Sequence, residues 1–165
     1  MVQGGLRTRL TIESVTKAIE AYLDGEGWFD IGREHLPVTL LDEFPGDNDE
    51  VALNTLAFSA DGGSGVSAEM GSLAENHFMS LFVDFFAEND ALGRHLIGDV
   101  YYFLKTNPAL PVYDYTDTTP FPILFHVHVE EEDVDWRKPS RAVSAWQKHW
   151  FTCSFTIEDE RANDG

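Results

Sequence analysis

The sequence predicts an α+β domain: a mostly antiparallel sheet of four or more strands with two helices packed on it. Three observations lead there. Residues 11–24 and 91–104 repeat apolar side chains at the spacing of one helix face. Residues 53–60, 73–87, 123–130 and 150–157 are strand-length apolar or alternating runs. Their order, helix, strands, helix, strands, is that of an α+β domain. At 165 residues the chain reads as one domain, 1–165, with 1–10 and 158–165 as flexible ends.

In the first helix Ile12, Val15, Ile19, Tyr22 and Leu23 fall on one stripe, opposite Glu13, Lys17, Glu20 and Asp24. Thr11 reads as the N-cap and Gly25 or Gly27 as the stop. GWFDIGREHLPVTLL then gives a turn and a short strand, and DEFPGDNDE, Asp42 to Glu50, a polar loop. The strand at 53–60 is expected to end in a turn at DGGSG, Asp61 to Gly65. In LAENHFMSLFVDFFA, Leu73 to Ala87, the residues Met79, Leu81, Val83 and Phe85 take one face, and Phe78, Phe82 and Phe86 the other. A strand apolar on both faces needs two covers, from its own chain or from a neighbouring subunit. The competing reading is a helix, because Phe78, Phe82 and Phe86 recur every four residues.

Asn89 or Asp90 caps the second helix, whose buried stripe is Leu92, Leu96, Val100 and Phe103. Gly93 falls inside that stripe, where it lets the helix approach the sheet closely at about 1 kcal/mol of helix propensity. Four prolines make Asn107 to Pro122 an extended connector. The strands Ile123–Glu130 and Trp150–Ile157 follow, separated by EEDVDWRKPSRAVSAWQKH, long enough to protrude as an arm.

Composition narrows the function classes. Apolar residues at 43% and aromatics at 13% are enough to fill a core, which argues against wholesale disorder. No segment reaches the ~20 continuous apolar residues of a membrane span. The start, MVQGGLRTRL, has no apolar run of a secretory signal. One cysteine, Cys153, cannot close an internal disulfide and suits a reducing cytoplasm. With 29 Asp plus Glu against 11 Lys plus Arg, the net charge is −18. Such a chain repels phosphate, so groove-reading DNA binding and adhesion to anionic membranes are both disfavoured.

The densest cluster of chemistry-bearing residues is FHVHVEEED, Phe125 to Asp133. His126, His128 and Glu130 share one face of the strand. The two imidazoles are about 6.6 Å apart, close enough to share an ion, while Glu130 is about 13 Å from His126. A third ligand would have to come from a neighbouring strand. Trp150–Ile157 offers Thr152, Ser154 and Thr156, none a good ligand, and His149 would need a bulge to reach. The expectation is therefore no metal, no cofactor and no catalytic residue, with the histidines on a polar or intersubunit face near Thr152 and Ser154. Cys153 shares its face with Phe151, Phe155 and Ile157 and reads as core. The G-x-S-x-G elbow, P-loop, G-x-G-x-x-G and paired C-x-x-C motifs are all lacking. Trp136, Trp146 and Trp150 sit in or beside the arm, either anchoring it on its own sheet or packing on a partner.

Two stretches carry a resemblance. ENHFMSLFVDFFAENDALGRHLIGDV, Glu75 to Val100, resembles the strand–turn–helix block of tail terminator proteins of long-tailed actinobacterial phages. WQKHW, Trp146 to Trp150, introduces the last strand as in similar proteins, and GWFD, LNTLAFS and PVYDY add support in the same order. The resemblance implies a small α+β domain that forms a ring, usually of six subunits. That ring caps the head-proximal end of the tail tube, stops its elongation and joins it to the head connector. The implied partners are other copies of the chain, the major tail tube protein and the connector or stopper. DNA would pass through the lumen without specific binding, and the protein would sit in the virion after assembly in the host cytoplasm. The family has no catalytic residues to carry over. Candidate interface residues are then Trp136, Trp146, Trp150, His126 and His128. Candidate channel-facing acids are Asp42, Glu43, Asp47, Asp49, Glu50, Glu130, Glu131 and Glu132. The alternatives are another head–tail connector protein of the neck, or a metal-dependent enzyme built on the His126/His128 strand.

Overall fold

The computed structural model describes residues 4–29, 38–46, 49–67, 75–139 and 144–161. Two helices, α1 (Gly4–Gly25) and α2 (Asp90–Thr106), pack on one face of a curled, mixed sheet. Its strands are β1 (Thr39–Leu41), β2 (Thr55–Ser67), β3 (Glu75–Phe86), β4 (Ala109–Tyr113), β5 (Ile123–Val129), β6 (Asp135–Arg137) and β7 (Trp150–Arg161). The order is β1-β2-β3-β7-β5-β4, with β6 also paired to β7. Among the described residues β1–β2 is the one parallel pair.

The doubly apolar segment is a strand, and its parity decides what it touches. Met79, Leu81, Val83 and Phe85 lie opposite Ile157, Phe155, Cys153 and Phe151 of β7. All eight are buried and form the helix-facing core with Leu96, Ile97, Val100 and Leu104 of α2. Each such side chain contributes about 1.5–3 kcal/mol by leaving water. Asn89 caps α2 by accepting from the Leu92 amide at 2.8 Å. Gly93 packs where expected: a Cβ there would come within 2.4 Å of Phe151 Cδ2.

Six expectations are corrected. The first helix starts at Gly4, so residues 4–10 are helical rather than a loose end. Leu10, fully buried, and Leu6, packed against the core, extend the apolar stripe one helical repeat upstream. Thr11 is interior to the helix, donating its hydroxyl to the Arg7 carbonyl at 2.8 Å. The C-terminal stretch is also built in as far as Arg161, and Asp159 is fully buried.

DGGSG is strand rather than turn. Ala60 pairs with Leu81 and Gly63 with Met79, so β2 spends one extra residue there and bulges. Glycine tolerates that irregularity, and β2 continues to Ser67. Likewise the proline-rich connector begins as β4, where Pro111 is allowed because β4 is an edge strand.

The arm does not project where it is described. Strand β5 meets β7 only at His128↔Glu158 and Val129↔Ile157. The freed edge of β7 is taken by β6, through Asp135↔Ser154, Trp136↔Cys153 and Arg137↔Thr152. Lys138 and His149 both bond to Asp90 at the start of α2. Residues 140–143, within the expected arm, lie outside the described residues.

Candidate binding site on the outer face of the sheet

The even-numbered residues of β3 point away from the helices. At one end Phe86 is buried beneath Trp146, with ring centroids 4.9 Å apart and nearly perpendicular planes. Ala57, Phe86 and Trp146 form a second small core, joined by Leu41, Val51 and Trp150. The second cover of the doubly apolar strand is thus supplied at this end by the chain's own loops. Phe44 completes it, 5.7 Å from Phe86 and 5.3 Å from Trp150 between ring centroids.

Between Phe82 and Phe86 the same alternation places Asp84 on this face, although it is only 4% exposed. Trp150 lies across from Phe86 and donates its indole N–H to Asp84 Oδ1 at 2.8 Å. Burial pushes the Asp84 pKa above the usual carboxylate value, against the opposing pull of Trp150, Thr152 and Arg137. Thr152 Oγ1 helps hold the charge but makes no hydrogen bond of good geometry. Above this carboxylate opens a cavity of about 350 Å³. Phe44, Phe82 and Trp150 form aromatic walls, with Ser59, Ala60, Pro139 and Arg137 around the rest.

A larger groove of about 630 Å³ runs between α1 and the β2 side of the sheet, floored by Phe58, Leu81, Val83 and Phe155. At its edge the Glu20 pKa is raised by burial and then by the nearby Asp42. The smaller cavity has the more specific chemistry: a buried carboxyl group beside three aromatic side chains, with Arg137 at the edge.

The residues singled out in the sequence are scattered. Trp146 is 8% exposed and Trp136 is 40% exposed beside β7. Trp150 is half-buried on the outer face. His126 and His128 are exposed, opposite Pro111 and Ala109 of β4. They are not beside Thr152 and Ser154, which face Arg137 and Asp135 because β6 has replaced β5 there. Among the described residues no three His, Cys, Asp or Glu side chains are gathered closely enough to hold a metal ion. Cys153 lies in the core, its pKa pushed up to about 12 by burial and then by Asp135 and Asp84.

Asp42, Glu43, Asp49 and Glu50 are exposed in the loop after β1, and Asp47 lies outside the described residues. Glu131 and Glu132 are exposed in a 3-10 turn, and Glu130 is half-buried just before it. The two acidic runs join the sheet on opposite sides of the β3–β7 pair. Asp90 is held to about 2 by its hydrogen bonds from Lys138 and His149.

Sequence reasoning missed Asp84, Phe44, Phe82 and Arg137 as one site. A signal was present in LFVDFF, where a single ionisable residue interrupts a run of apolar side chains. Compared with known protein families and with curated proteins, the chain matches neither a family nor an individual protein.

Proposed function

We propose that this chain is a ring-forming tail terminator of a long-tailed phage. In this reading it caps the head-proximal end of the tail tube and joins it to the head connector. The observation that carries the reading is the fold of Glu75 to Val100. That block, which bears the resemblance, forms β3, a short turn capped by Asn89, and α2. The two helices on one sheet also agree with the α+β domain that the resemblance implies. Ile123, Leu124 and Trp136 leave apolar surface exposed on one chain, as subunit contacts in a ring would require.

The partners in this reading are further copies of the chain, the tail tube protein and the connector, within the virion. The acidity suits a bore through which DNA slides, because like charge on wall and duplex removes the electrostatic wells that would stall it. Copies carrying −18 each also repel one another, so assembly should strengthen with salt as the Debye length falls from about 30 Å at 0.01 M to about 8 Å at 0.15 M. Light scattering across a salt series, with electron microscopy of the purified protein, tests the proposal. Closed rings that grow in population with salt are the expected result. A monomer at every salt and concentration, which also leaves tube length unchanged when mixed with polymerising tube protein, would overturn it.

A further inference from the structure

We infer that the recess over Asp84 is a docking site for a lysine or arginine side chain of a partner polypeptide. Asp84 would supply the counter-charge, and Phe44, Phe82 and Trp150 the walls. This inference does not depend on the ring reading.

The first argument is an imbalance. Asp84 is 4% exposed, and its one hydrogen bond of good geometry among the described residues comes from a neutral indole. A buried carboxylate is costly unless it is paired, and the pairing is worth most where water is already excluded. No basic group among the described residues lies within ion-pair distance of it. Arg137 lines the cavity and acts on Asp84 at longer range, but is itself exposed.

The second argument is the shape and nature of the walls. Phe44 and Trp150 pack on each other, ring centroids 5.3 Å apart at 51°, and together with Phe82 they line the recess. Aromatic faces attract cations, most strongly when the cation is desolvated, and a carboxylate below them adds to that attraction. A volume of about 350 Å³ lies at the small end of ligand sites, suited to one long side chain rather than a large cofactor.

The third argument selects a polypeptide of basic character. Phe44 is 37% exposed at the rim, with half-buried Phe82 and Pro139 beside it, apolar surface that a chain covers and a free amine leaves wet. Exposed Asp42 and Glu43 directly precede Phe44, and exposed Asp135 lies two residues from Arg137 on the same face of β6. This rim repels acidic partners and steers basic ones.

The test is a titration with N-acetyl-arginine methylamide, using the uncharged N-acetyl-norleucine methylamide as control. It is followed by the Trp150 indole N–H resonance, assigned with Trp150→Phe. A saturable shift is expected with the arginine compound only, with a Kd near the millimolar range for so small a probe. Asp84→Asn keeps an acceptor for the indole, so its fold should persist, and it should weaken binding by about tenfold or more. Arg137→Ala removes a competing cation and should tighten binding. No saturable shift, an equal shift with the norleucine compound, or undiminished binding by Asp84→Asn would each overturn the inference. Loss of binding in Arg137→Ala would also overturn it, by showing that the site reads an anionic group through Arg137.

Discussion

Arg7 and Asp159, 152 positions apart, form a bidentate ion pair, Nε to Oδ2 at 2.9 Å and Nη2 to Oδ1 at 2.7 Å. The Asp159 side chain is 1% exposed and that of Arg7 13% exposed, with the guanidinium also 3.7 Å from the Phe125 ring centroid. The pair fastens the first turns of α1 to the far end of β7. Arg7→Ala strips the buried carboxylate of two charge-assisted bonds and should cost about 3–5 kcal/mol. The double variant Arg7→Met/Asp159→Leu should recover most of that loss. Urea denaturation midpoints of the three proteins check this.

Gly93→Ala tests the contact between α2 and the sheet. Helix propensity alone would make it stabilising by about 1 kcal/mol. The new methyl would meet the Phe151 ring at 2.4 Å and Ala87 Cβ at 3.4 Å, and both residues are buried. Overpacking of this kind costs about 1–3 kcal/mol, so a net loss of stability is expected in thermal or urea unfolding.

Asp84 gives the stability a pH dependence of definite sign. Its pKa is raised in the fold from an ordinary 3.8. The unfolded chain therefore loses this proton first, and stability falls as pH rises from about 3.8 through the raised value. Asp84→Asn should match the parent below that window and exceed it at neutral pH. Unfolding free energies at pH 3 to 8 measure the crossover. A parent and variant with parallel profiles would show that burial does not govern this group.

The two tryptophans of the arm should separate cleanly. Trp146→Ala opens a cavity over Phe86 and should cost about 3–5 kcal/mol. Trp136 is 40% exposed, so Trp136→Ala should change monomer stability by less than about 1 kcal/mol. Loss of assembly in Trp136→Ala with unchanged unfolding would mark it as a contact between molecules.

What could be read from sequence was what parity and helical spacing decide locally. The strand at β3, the core place of Cys153 and the close approach at Gly93 all follow from which side a residue faces. Glycine and proline were misleading because they report backbone freedom, whereas pairing depends on the neighbour. DGGSG became strand because β3 lies beside it, and Pro111 entered a strand because β4 has an open edge. The start of α1 was missed because GGLRTRL looks polar until Leu6 and Leu10 are set against the core. The site around Asp84 joins residues from Phe44 to Thr152, and no local pattern announces a meeting across that distance.

Strand β7 emerges last among the described elements, yet its place is between β3 and β5. A chain leaving the ribosome therefore presents two partial sheets, β1–β2–β3 and β4–β5, with no strand to connect them. Among the described strands β6 has none to pair with until β7 arrives. At ordinary translation speed the residues between Phe86 and Trp150 take on the order of several seconds. For that time one edge of β3 stays open, with Phe78, Phe82 and Phe86 on one side of the strand and core residues on the other. An unpaired apolar edge is a template for pairing with another chain. The nascent protein thus passes through an interval in which chaperone cover matters, and it ends only when residues 150–161 thread between the two halves.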